Sequence, residues 1–111
     1  MNWQQRADER SAALHQAIAQ KLLAQPQLWA IPSQNLSRWR TQMANLPPAL
    51  QEWEKILDTW SHESILKLLT ETSQSAIRLR SSSPFAGELT EPERLQIFHR
   101  FLAVTHSPAV N

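Results

Sequence analysis

A single glycine, Gly87, and seven prolines limit what this chain folds into. Tight hairpins need residues that tolerate positive φ, and no Asn-Gly or Asp-Gly pair occurs anywhere. Two valines stand against 15 leucines, 13 alanines and 11 glutamines, so local propensity favours helix at most positions. The fold class is therefore read as all-α, since a sandwich or barrel would contradict local propensity at nearly every strand position. A chain of 111 residues buries one core. The expectation is a compact single-domain bundle of about five to six short helices over 1–104, followed by a short flexible tail over 105–111.

The prolines mark the helix boundaries. Residues 3 to 25 contain neither Gly nor Pro, and Leu14, Ile18 and Leu22 recur at a spacing of four, which predicts a first helix ending near Gln25, before Pro26. A short turn is expected over 26–31, with Pro32 dividing it from a second helix. Ser33 would cap that helix, and Leu36, Trp39 and Met43 would form its apolar stripe to about Ala44. Pro47-Pro48 opens a third helix over 48–59, where Leu50, Trp53, Leu57 and Trp60 share a face. Ser61 caps a fourth over 62–71, which the Thr70 to Ser75 cluster ends, and a short helix follows through Ala76, Ile77 and Leu79. After the loop around Gly87, Thr90 and Glu93 read as a capping box for a last helix with Leu95, Phe98 and Leu102 on one face.

The net charge of +1 conceals a segregation along the chain. No acid lies between Glu9 and Glu52, an interval carrying Arg10, Lys21, Arg38 and Arg40, whereas the stretch from Glu52 to Glu71 sums to −3. Either the basic and acidic helices neutralise one another across the bundle, or the basic half meets an acidic partner or phosphate backbone.

Chemistry-bearing motifs are scarce. Absence of cysteine removes disulfides, thiolate catalysis and Cys-based zinc sites. His15, His62, His99 and His106 include no i, i+4 pair, so no metal site is expected, and His62 and His99 read as surface or half-buried side chains. Glu52 with Glu54 and Glu91 with Glu93 fall in helix N-terminal turns, where dipole and capping account for them. With no phosphate cradle or nucleophile elbow either, an enzyme is not expected and no cofactor is implied. A hydrolase or transferase has only scattered His and Glu in its favour. Nothing resembles a secretory or membrane-spanning stretch, which suggests a cytoplasmic protein with no membrane partner.

Two features suggest binding. Trp39, Trp53 and Trp60 fit core positions at helical spacing, whereas Trp3 and Trp29 lie outside strong stripes. Trp29 is the better partner anchor because prolines bracket its segment and stiffen it. The segment LRSSSPFAGEL is either a plain connection, with Phe85 plugging the core and Gly87 at positive φ, or a recognition loop. In the second reading Arg78, Arg80, Ser82 and Ser83 surround an anchor at Phe85. The Ser81 to Ser83 cluster beside two arginines also offers a phosphorylation site.

LHQAIAQKLL, LSRW, EWEKIL and SSSPFAGEL followed by EPER resemble small bacterial proteins found beside toxin genes, over residues 13 to 95. The resemblance implies an antitoxin-like role in which a helical protein occludes a toxin enzyme encoded nearby, and it assigns no catalytic residue. The resulting expectation is a non-enzymatic protein-binding module using Trp29, Arg78, Arg80, Ser82, Ser83 and Phe85. Arg38 and Arg40 are candidate contacts to phosphate or an acidic surface. The alternative is a small DNA-binding regulator using Arg38 and Arg40, although Pro47-Pro48 suits a helix-turn-helix turn poorly.

Overall fold

The structure is a computed structural model that describes the backbone of residues 3–106 and the side chains of residues 6–100. Among the described residues every regular element is helical: α1 (Trp3–Ala24), a 3₁₀ turn (Pro26–Trp29), α2 (Ala30–Gln42), α3 (Pro48–Thr59), α4 (His62–Thr70), α5 (Gln74–Arg80) and α6 (Glu91–His106). The described residues form an all-α bundle of six helices, as the composition predicts. Helix α6 continues through His106, two residues into the stretch expected as a tail, and 107–111 lie outside the described residues.

In α1, His15, Ile18, Ala19 and Leu22 recur at spacings of three and four and are all buried. That stripe gives α1 its central place, packed against α4, α5 and α6. The Gln25 amide still donates to the Lys21 carbonyl at 2.8 Å, and Pro26 ends the helix there.

Helix α2 departs from expectation at both ends. Pro32 does not divide the segment. It is the third residue of α2 and is buried, at a position whose N–H no helix would bond. Ser33 therefore lies inside the helix instead of capping it. At the other end Met43 turns extended (φ −113°, ψ 146°), which takes its side chain off the stripe of Leu36 and Trp39 and leaves it exposed.

Helix α3 begins and ends where expected and buries Leu50, Trp53 and Ile56. The Trp53 indole N–H donates to the Leu79 carbonyl at 2.8 Å, and its ring meets Phe85 edge-on at 5.4 Å. Ser61 Oγ accepts from the Ser64 amide at 3.1 Å and opens α4; Ser73 Oγ accepts from the Ala76 amide at 3.2 Å and opens α5. The Ser/Thr cluster thus ends one helix and starts the next. Loop 81–90 then leads to α6 through the expected capping box, in which the Thr90 amide donates to Glu93 Oε1 at 2.7 Å and the Glu93 amide to Thr90 Oγ1 at 3.3 Å.

The buried face of α6 is not the expected one. Ile97 is buried, Leu95 is exposed and Phe98 is half-buried, with the Arg10 and Arg94 guanidinium groups 5.6 and 5.5 Å from its ring centroid. Glu93, one helical turn before Ile97 and on the same side of α6, bonds Lys21 of α1 at 2.7 Å, so this side faces α1. The side chain of Leu102 is outside the described residues. One continuous apolar cluster draws on all six helices and on loop residues Phe85 and Leu89.

Candidate protein-docking surface

Because Ser61 caps α4, α3 must end just before it. Trp60 is left extended (φ −89°, ψ 152°), off the buried face of α3, with 44% of its surface exposed. This corrects its expected place in the core. Beside Trp60 a groove of about 440 Å³ runs between α3, α4 and α5, lined by the buried Ile56, Leu68 and Leu79 and by Glu52, Lys55, Glu71 and Arg78. Arg78 grips Glu52 with two parallel hydrogen bonds, Nη1 to Oε1 at 2.8 Å and Nη2 to Oε2 at 3.1 Å. These bonds raise the guanidinium pKa and lower that of the carboxyl. Both side chains are about half exposed, so solvent screens the pair and a partner can compete for either group.

The other residues singled out from sequence do not gather here. Arg80, two positions after Arg78, is buried and donates Nη1 to the carbonyls of Leu68 at 3.0 Å and Glu71 at 2.7 Å, closing the C-terminal end of α4. Burial holds its pKa below the ordinary arginine value. Phe85 is 2% exposed and packs between Trp53 and His15, so it plugs the core and is not an exposed anchor. Ser82 and Ser83 are half-buried, and Ser83 Oγ accepts from the Phe85 amide at 3.2 Å, a bond internal to the loop. Gly87 has φ +91°, the turn expected of it.

Trp29 is half-buried and lies flat on His62, the ring centroids 3.9 Å apart and the planes 8° from parallel. Stacking here joins the 3₁₀ turn to the start of α4. Arg38 is exposed and donates to Asn35 Oδ1 at 2.8 Å; Arg40 makes a two-pronged pair with Glu54, its Nε 3.0 Å from Oε2. The Arg40 pair spans a polar groove of about 670 Å³ between α2 and α3. The basic and acidic stretches of the sequence thus meet across the bundle at Arg40–Glu54. Both arginines are already engaged by groups of this chain. The side chain of Trp3 lies outside the described residues.

Two further ionisable groups are interior. His15 Nδ1 lies 2.7 Å from the Ser11 carbonyl, to which it donates, and its pKa is depressed chiefly by burial. Glu88 is 1% exposed, and burial pushes its pKa up to about 7. His15 could have been found from its place on the α1 stripe; nothing in the sequence marks Glu88 as interior. Among the described residues no three His, Asp or Glu side chains come together in a metal-binding cluster, and no helix is long and apolar enough to cross a membrane. No protein-family model, curated protein or solved structure matches the chain.

Proposed function

We propose that this protein is a non-enzymatic protein-binding module, antitoxin-like in role, and that its partner is an enzyme encoded nearby. The partner docks on the groove between α3, α4 and α5. A partner apolar side chain packs against Trp60 over Ile56 and Leu68, and a partner carboxylate takes Arg78 from Glu52. The observation behind this reading is Trp60, a large aromatic side chain left exposed beside an apolar-lined groove and near a charge pair that can exchange partners.

Coexpression with the products of adjacent genes, followed by affinity capture and a growth-rescue assay, tests the reading. The expected result is a stoichiometric complex that relieves toxicity. W60A and R78E should each weaken that complex by about tenfold or more while melting like the parent. A chain recovered alone with every neighbouring product, with no toxicity relieved, would overturn it.

A further inference from the structure

Glu88 is the least well accommodated group in the described structure: neither carboxylate oxygen has a hydrogen-bond partner among the described residues. A bare carboxylate in an apolar interior is strongly disfavoured unless a cation or donors reach it. The cation whose field Glu88 feels is Lys21 of α1, yet the Lys21 ammonium is bonded to Glu93 Oε1 at 2.7 Å. That same oxygen accepts the Thr90 amide, so the ion pair fastens the first turn of α6 to α1.

The two halves of loop 81–90 are held differently. Asn35 donates to the carbonyls of Pro84 and Ala86, each at 2.8 Å, and Phe85 is sunk beside Trp53. The first half is thereby clamped without help from α6. After Gly87, what holds the chain to α1 is the burial of Leu89 and Ile97, the Arg10 guanidinium over Phe98 and, at the first turn of α6, the Lys21–Glu93 pair. The surrounding elements carry several ionisable groups, among them Arg10, His15 and Lys21 on α1, Arg80 at the end of α5, and Glu91, Glu93 and Arg94 on α6. Arg80 is engaged by two carbonyls, and Arg94 bonds Glu91 at 3.3 Å. Lys21 is the group whose exchange of partners would relieve Glu88.

We propose that Glu88 and Glu93 compete for Lys21, so that ionisation of Glu88 draws Lys21 inward and unfastens the first turn of α6 from α1. The Glu88 proton passes to solvent, Lys21 stays charged, and one ammonium–carboxylate hydrogen bond replaces another. Helix α6 is then a strap, closed while Glu88 is protonated and loosened when it is ionised. Since burial lifts Glu88 to about 7, the exchange falls in the neutral range.

Amide hydrogen exchange of α6, corrected for intrinsic rates and referenced to α3, tests this at about pH 6 and about pH 8. Protection of α6 should fall about tenfold relative to α3 across that interval in the wild type. E88Q should keep α6 protected at both values, and K21M should leave it loosened at both. Carbon NMR of the side-chain carboxyls gives a readout that needs no variant: Glu93 should shift with the same midpoint as Glu88 as it loses Lys21. Protection of α6 that tracks α3 throughout, loosening that persists in E88Q, or a Glu93 signal indifferent to the Glu88 midpoint would each overturn the proposal.

Discussion

Asn35 and Pro84, 49 residues apart, are joined by a buried hydrogen bond of 2.8 Å from the Asn35 amide nitrogen to the Pro84 carbonyl. The same nitrogen donates to the Ala86 carbonyl, while Asn35 Oδ1 accepts from Arg38. One side chain on α2 thus satisfies two carbonyls of a loop that has few backbone partners of its own. N35A should lower stability by about 2 to 3 kcal/mol, because both carbonyls lose their donor. N35D, close in size, should cost at least as much, since it brings an acceptor where a donor is required. Urea denaturation of the variants checks both outcomes.

Trp53 and Phe85 form the aromatic centre of the core, and the indole N–H also serves the buried Leu79 carbonyl. W53F keeps an aromatic ring but removes that donor and some volume, so it should destabilise by about 2 to 4 kcal/mol. F85A should cost about 3 to 5 kcal/mol by opening a cavity beside Trp53. Calorimetric melting measures the two losses. If Phe85 instead acted as an exposed anchor, F85A would leave the midpoint almost unchanged.

What was legible in the sequence was what neighbours along the chain decide. The Ser61 cap, the Thr90–Glu93 box and the positive φ of Gly87 depend on contacts within a few residues, and each is found where expected. Periodicity identifies a helical face but not where the helix stops or what covers it. Trp60 and Met43 continue apolar stripes on paper, yet each lies one residue past its helix and is exposed. Leu95 continues a stripe as well, but the side of α6 that meets α1 is the one carrying Glu93 and Ile97, and the Lys21–Glu93 bond across that contact joins residues 72 apart. The charge segregation was legible, but the pairing of Arg78 with Glu52 and the burial of Arg80 are tertiary facts that no spacing encodes.

Glu88 and His15 give stability opposite dependences on pH. The native carboxyl of Glu88, held near 7 against an ordinary 4.5, keeps a proton that the unfolded chain releases. Stability therefore falls as pH rises from about 4.5 to about 7 and is level above that range. His15, held below 6.5, contributes fully above that value, and its contribution is lost as pH falls through the native pKa. E88Q should exceed the wild type by about 3 kcal/mol near pH 8 and match it within about 1 kcal/mol near pH 4. Urea melts across pH test this, and an E88Q curve parallel to that of the wild type would show that the carboxyl is not the group responsible.

Arg78 and Arg80 are nearly adjacent in sequence and have opposite surroundings, which separates a structural role from a binding role. Arg80 caps α4 from inside through the Leu68 and Glu71 carbonyls, where its positive charge also suits the negative end of the helix. R80M keeps much of the apolar stem but strands both acceptors, and should cost about 2 to 4 kcal/mol. R80K retains the charge but carries its ammonium on a shorter stem than the one that places Nη1 between the two carbonyls, so it should fall between R80M and the wild type. R78A, by contrast, removes an exposed and screened pair and should leave the thermal midpoint essentially where it was. Melting curves separate the two positions, and affinity for the captured partner reverses their order. Substitution of Arg78 should weaken binding in a folded chain, whereas R80K, assayed well below its melting temperature, should bind as the wild type does.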